Sequence, residues 1–188
     1  MINPLDQFIV GPVTGELELE RYVIGIASPV EDVFEVIGGY RFLRQMLGLP
    51  QETTGSGEVS ASRMGYRFTF PDRDSMDKGD AISLNPLFES LKIGFEVSKV
   101  QKDHRVRLRY TDGPLEGKLT WTLEPDPKDD NRTILEFTAD CSIEDPWFRL
   151  VWLLFFQWVH YFVIGLMLLE IKRAAERQRT GEPGLQPA

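Results

Sequence analysis

The sequence predicts an α+β protein in which a curved antiparallel β-sheet wraps around one long C-terminal α-helix. Three observations carry this. Residues 59–141 show repeated period-two alternation with turn chemistry between the runs. Residues 146–178 then run without strand punctuation and end among Lys172, Arg173, Arg177 and Arg179, the charge that suits a helix C-terminus. Two short helical segments lie between the first strand and the sheet.

Taken in order, residues 1–15 mix prolines, glycines and a few apolar side chains, and read as a docked arm. In 16–27, Leu17, Leu19, Arg21 and Val23 alternate with Glu16, Glu18, Glu20 and Tyr22, which predicts a half-buried first strand with the leucines and Val23 inward. Ser28 as N-cap, Pro29 at the first helical position and Glu31 three residues after the serine predict a helix start with a capping box. Val30, Val33, Phe34 and Ile37 form its apolar face, and Gly38-Gly39 ends it. Residues 40–47 make a second short helix, closed by Gly48 and Pro50.

Strands follow at 59–70 and 81–84, separated by the turn-rich 71–79. Ile93, Phe95 and Val97 then share a face, as do Val106, Leu108 and Tyr110. Leu119, Trp121 and Leu123 form a third set, and Leu135, Phe137, Ala139 and Cys141 a fourth. Turns at 102–103, 112–114 and 125–131 separate them, so the runs form an antiparallel meander with one wet and one apolar face. Arg105, Arg107 and Arg109 fall on the wet face, with Glu96, Glu116 and Glu124 as available partners. The expected organisation is an arm (1–15), a single domain (16–179) and a tail (180–188).

Composition narrows the function. With 188 residues the chain can bury a core without staples. A net charge of -8 repels phosphate backbones, so no nucleic-acid partner is expected. Cys141 is the single cysteine, which excludes an internal disulfide. With no basic-then-apolar leader at the start, a cytoplasmic location is expected. The two histidines, His104 and His160, lie far apart and give no metal-ligand spacing with Cys141. Neither a Gly-rich phosphate loop nor a Ser-His-acid grouping is visible, so neither metal nor cofactor is expected.

The segment 147–169 is the most apolar of the chain, with Arg149, Gln157 and His160 its strongly polar side chains. Its length meets the threshold for a membrane span. At 100° per residue, however, those three gather in one sector opposite Val151, Leu154, Phe155, Trp158, Phe162, Leu166 and Leu169. A narrow polar stripe predicts a helix packed on a sheet. The apolar excess at Trp152, Phe156, Val159 and Val163 adds two partner readings, a homodimer interface or a membrane-surface contact that would make the protein peripheral to a membrane.

Three stretches carry a family resemblance: Ala27-Ser28-Pro29-Val30-Glu31-Asp32-Val33-Phe34; the strands around Gly94–Val100, Gly117–Pro125 and Arg132–Leu135; and Leu168-Leu169-Glu170-Ile171-Lys172-Arg173-Ala174-Ala175-Glu176. Over about residues 16–178 the chain resembles the START-related, polyketide-cyclase-like superfamily (SRPBCC), whose members have the helix-grip fold. The resemblance implies an apolar cavity between sheet and long helix that takes lipids, isoprenoids, sterols or polyketide-like molecules; some members cyclise or hydrolyse what they bind. It transfers no catalytic residue. The expected lining is Phe95, Val97, Leu108, Tyr110, Trp121, Leu123 and Phe137 from the sheet, with Phe155, Trp158 and Phe162 from the helix; the alternative reading of the sheet set is plain core. Tyr110 and Trp121 each bring a polar handle. The expected function is binding or transport of a hydrophobic small molecule, with a cyclase- or hydrolase-type enzyme as the alternative. For the enzyme, His160 is the weak candidate for a general base, against a surface position.

Overall fold

The computed structural model describes residues 9–11, 19–47, 49, 57–63, 66–86 and 92–180. The side chains of residues 9–11, 19, 46, 47, 63, 66, 86, 155, 156, 158–160, 163 and 180 lie outside that description. Nine strands form one antiparallel sheet: β1 (Ile9–Gly11), β2 (Leu19–Ile26), β3 (Glu58–Arg63), β4 (Tyr66–Pro71), β5 (Ala81–Pro86), β6 (Ile93–Gln101), β7 (Arg105–Asp112), β8 (Glu116–Asp126) and β9 (Asp129–Ser142). The order across the sheet is β1-β2-β9-β8-β7-β6-β5-β4-β3, so β3 to β9 run as an uninterrupted meander and β2 closes against the last strand. After β2 come α1 (Val30–Ile37) and α2 (Tyr40–Leu47). The C-terminal helix comprises α3 (Pro146–Val151), one π turn (Trp152–Phe156) and α4 (Gln157–Thr180). This is the α+β helix-grip arrangement the sequence predicts.

Several local expectations are corrected. Part of the 1–15 arm is strand, because Ile9–Gly11 pairs with Gly11↔Arg21 to Ile9↔Val23 on β2. The run 59–70 is two strands, with β3 and β4 paired from Arg63↔Tyr66 to Glu58↔Pro71. The inward set shifts parity across the hairpin, from Val59 and Ala61 to Phe68 and Phe70. The 125–131 loop is shorter, as β8 reaches Asp126 and β9 resumes at Asp129.

The first long strand, β2, presents the opposite face from the expected one. Tyr22, Ile24 and Ile26 are buried, while Arg21 is exposed and bonds Glu136 of β9 at 2.5 Å. An arginine finds its partner on the wet face, and the Tyr22 hydroxyl is satisfied inside by Glu20 at 3.0 Å. Residue 23 is the one exchanged for a tyrosine in the core.

At the start of α1 the cap is Pro29, and Ser28 does a different job. Its hydroxyl reaches Asp32 at 3.1 Å and the Ala175 carbonyl at 3.2 Å, tying α1 to α4. The Thr133 hydroxyl donates to the Ser28 carbonyl at 2.7 Å, bringing in β9. Around the same corner, Lys172 donates to the Gly25 carbonyl at 2.9 Å, Arg179 to the Ala27 carbonyl at 3.1 Å, and the Ala27 N–H donates to Glu176 at 2.9 Å. The basic end of the long helix is therefore a clamp on the β2–α1 turn.

The long helix also packs by the other side. Its buried positions are Ile164, Leu168, Ile171 and Ala175, spaced four, three and four apart. Leu154, Phe162 and Leu166, expected to face the sheet, are instead exposed. Apolar residues surround the helix, so composition alone does not choose the packed side; the small Ala175 and the slim aliphatics fit closest to the sheet.

On the far wing of the sheet, Arg44 and Asp72 form a buried ion pair beneath α2, with the guanidinium 5.9 Å from the centre of the Phe70 ring. The Tyr40 hydroxyl donates to the buried Asp80 at 2.9 Å, and its ring stacks on Phe70 at 5.4 Å. These contacts fix α2 to the β4–β5 connection and leave the central strands free to meet the long helix.

Candidate functional site

The concave face of β2, β9, β8, β7 and β6 changes character along its length. At the clamped end Ile24, Ile26, Leu123 and Leu135 are essentially inaccessible and form one core with Leu168, Ile171 and Ala175 of α4. Toward the N-terminal part of the long helix, Phe95, Tyr110, Trp121, Cys141 and Tyr161 are only half-buried. The floor there still contains Phe137 and Ala139, both buried. A closed core at one end and partly accessible aromatics at the other place the candidate site beneath the region where α4 begins.

The polar groups of this end are few and arranged in pairs. Tyr22 donates to Glu20 at 3.0 Å, and its ring lies 6.3 Å from that of Tyr161 across the gap between sheet and helix. The Gln157 amide donates to the Tyr161 hydroxyl at 2.9 Å, one helical turn apart. The Tyr110 hydroxyl and the Cys141 thiol lie beside one another, each shifting the other's ionisation. Gly117 lies between them on β8, opposite Cys141 in register. Its φ of +127° and an added Cβ only 2.0 Å from the Asp140 carbonyl oxygen make glycine necessary there.

Aromatic contacts complete the lining. Phe95 and Tyr110 lie 4.8 Å apart between ring centres, and Trp121 and Phe137 lie 5.1 Å apart with planes tilted by 52°. The Trp121 Nε1–H is buried and has no acceptor among the described residues. An unmet buried donor is uncommon in native interiors and points to a group that arrives from elsewhere.

Electrostatically the site is a set of neutral donors beside one acid. Burial pushes the Tyr22 and Tyr110 hydroxyls well above their ordinary range, and Glu20 adds to both shifts. Burial pushes the Cys141 thiol up to about 11, with the Tyr110 hydrogen bond acting in the opposite direction. The thiol is therefore not a thiolate nucleophile at neutral pH. No group of three His, Cys, Asp or Glu side chains is placed to hold a metal among the described residues.

Of the predicted lining residues, Val97, Leu108, Leu123 and Phe137 sit on the concave face as buried core. Phe95, Tyr110 and Trp121 lie at its half-open end. Phe162 is 68% exposed and faces away from the sheet, a correction that follows from the rotated helix. The side chains of Phe155, Trp158 and His160 lie outside the described residues. Sequence reasoning missed Glu20, Tyr22, Gln157 and Tyr161. The i, i+2 spacing of Glu20 and Tyr22 and the i, i+4 spacing of Gln157 and Tyr161 were the available signals.

Outside the site, Trp147, Leu150, Leu154, Phe162 and Leu166 form an exposed apolar stripe along the long helix. Among the described residues, no helix is long and apolar enough to cross a membrane.

Comparison with solved structures gives the same architecture as the element order. A norcoclaurine synthase point mutant from Thalictrum flavum, in complex with a transition-state analogue, superposes with a TM-score of 0.56 at 10% identity, over 95% of this chain and 99% of that one. A Rhodobacter sphaeroides protein gives 0.54 at 14% identity, over 94% of this chain and 100% of that one. A Chromobacterium violaceum protein gives 0.51 at 15% identity, over 85% and 97%. At such identities the likeness establishes a shared helix-grip fold. No protein-family model and no curated protein matches the sequence.

Proposed function

We propose that this protein binds a hydrophobic small molecule between the concave sheet face and the first turns of α4. The observation that carries the reading is the uneven burial of one continuous apolar face. Aliphatic core residues at the clamped end are sealed, while Phe95, Tyr110 and Trp121 remain half-buried around a handful of neutral donors. A mostly apolar recess with a few convergent polar groups is the usual build of a small-molecule site. Carriage or sensing of a lipid, isoprenoid or polyketide-like compound follows from it, in a cytoplasmic setting.

The test is thermal unfolding against a panel of apolar small molecules. A ligand that binds only the folded state raises the melting temperature, by mass action, as its concentration passes its Kd. The reading requires a shift for some member of the panel, and a smaller shift in Tyr110→Ala and Trp121→Ala. A panel without effect on the wild-type protein overturns it.

A second reading, chemistry on the bound molecule, is favoured by one observation. Glu20 stands beside Tyr22 at 3.0 Å within the same recess. An acid next to a neutral phenol can pass a proton to or from a bound substrate. The structural neighbour norcoclaurine synthase is itself an enzyme by name. Loss of turnover in Glu20→Gln with ligand binding intact would support this reading; turnover unchanged in that variant would remove Glu20 from it.

A further inference from the structure

We infer that the bound molecule carries an uncharged hydrogen-bond acceptor, a ketone, ester or ether oxygen, which is received by the Trp121 indole N–H, and that carboxylate-bearing ligands are rejected. This rests on the small-molecule site proposed above and specifies the chemistry of its occupant.

The argument starts from the indole. Trp121 belongs to the inward set of β8, between Leu119 and Leu123, with its ring against Phe137. Its Nε1–H is buried without an acceptor among the described residues. Of the neighbouring polar groups, Tyr22 is engaged with Glu20 and Gln157 with Tyr161, and Tyr110 lies beside the Cys141 thiol. The indole is the donor left over. An oxygen delivered by a ligand removes its desolvation penalty, and a ligand without one leaves the penalty in place.

Charge sets the second half. The arginines of β7 alternate with Val106 and Leu108 and so fall on the convex side, where Arg109 bonds Glu96 at 2.9 Å. Arg44 is committed to Asp72 on the far wing, and Lys172 to Gly25 and Glu176 at the clamp. Glu20 supplies negative charge at the half-open end. A fatty-acid carboxylate would be buried beside a like charge. The aromatic rings of Phe95, Tyr110, Trp121 and Phe137 suit a flat ligand body.

Three probes sharing one skeleton separate the outcomes: naphthalene, 2-acetylnaphthalene and 2-naphthoate at pH 7.5. Binding is followed by calorimetry and by the 15N-labelled indole resonances, with Trp121 assigned from Trp121→Phe. The inference predicts that the ketone binds about tenfold more tightly than naphthalene, the worth of one buried hydrogen bond, with naphthoate weaker than both. It also predicts a downfield shift of the Trp121 Nε1–H with the ketone alone. In Trp121→Phe the ketone loses its advantage over naphthalene. Naphthoate binding as tightly as the ketone overturns the inference and leaves the site standing, as does a ketone preference that survives Trp121→Phe. Failure of all three to bind removes the site reading and this inference with it.

Discussion

Tyr110 and Cys141, on strands separated by β8, lie beside one another across Gly117, each shifting the other's ionisation. The backbone at Gly117, with φ of +127°, brings β8 so close to Asp140 that no Cβ fits between the strands there. Burial holds both groups in their neutral forms at the half-open end of the grip.

Alkylation of Cys141 tests this contact. With the thiol pushed up to about 11 from an ordinary 9.0, iodoacetamide should react slowly at pH 8 and accelerate as pH approaches 11. Tyr110→Phe removes a bond that lowers the thiol pKa and should slow alkylation at a given pH further. A native-state rate at pH 8 equal to that of the urea-unfolded chain would refute the assignment.

Stability at high pH follows from the same groups. Their folded-state pKa values are raised, so the unfolded chain releases protons first and the stability they contribute is complete below the unfolded values. For Cys141 it is lost as pH rises from 9.0 through about 11. For Tyr22, Tyr40 and Tyr110 the loss begins above pH 10.0, with burial as the leading cause in each. Urea midpoints should therefore fall above pH 9, and ultraviolet titration should show three tyrosines ionising late. A midpoint constant up to pH 11.5 would contradict the burial of these groups.

The rotation of the long helix predicts opposite responses from two large apolar residues. Leu168 is fully buried, and Leu168→Ala should cost about 2–5 kcal/mol. Phe162 is 68% exposed, and Phe162→Ser should change stability by no more than about 0.5 kcal/mol. Chemical denaturation of the two variants decides between this packing and the reverse one.

On the far wing, Arg44→Ala leaves the Asp72 carboxylate buried beneath α2 without its guanidinium. The expected cost is about 3–5 kcal/mol, most of it the uncompensated charge. The double variant Arg44→Met, Asp72→Asn should recover a large part of that loss. Denaturant midpoints that rank the double variant below the single one would argue against the pair as a charge-compensating unit.

Much of this fold was legible in the sequence, and the reasons differ by element. Strands β6 to β9 announce themselves because each buries one face, so Phe95, Val97, Leu108, Leu123 and Phe137 stand at period two. The β2 face was misread because a tyrosine counts as polar until its hydroxyl has a partner, and Glu20 supplies one from the same face. The long helix was misread because it is apolar nearly all round, and the choice of packed side rests on the fit of Ala175 and Leu168 against the sheet. Tyr110 and Trp121 were visible as aromatics with polar handles. Their surroundings were not, because the Tyr110–Cys141 contact depends on three-strand register.

The most direct test of the central claim is native mass spectrometry of protein purified without organic solvent, before and after incubation with apolar small molecules, followed by solvent extraction. The account predicts a one-to-one complex heavier than the chain by a small molecule, which extraction releases, and whose occupancy falls in Trp121→Ala. Only the bare chain under every condition would contradict it.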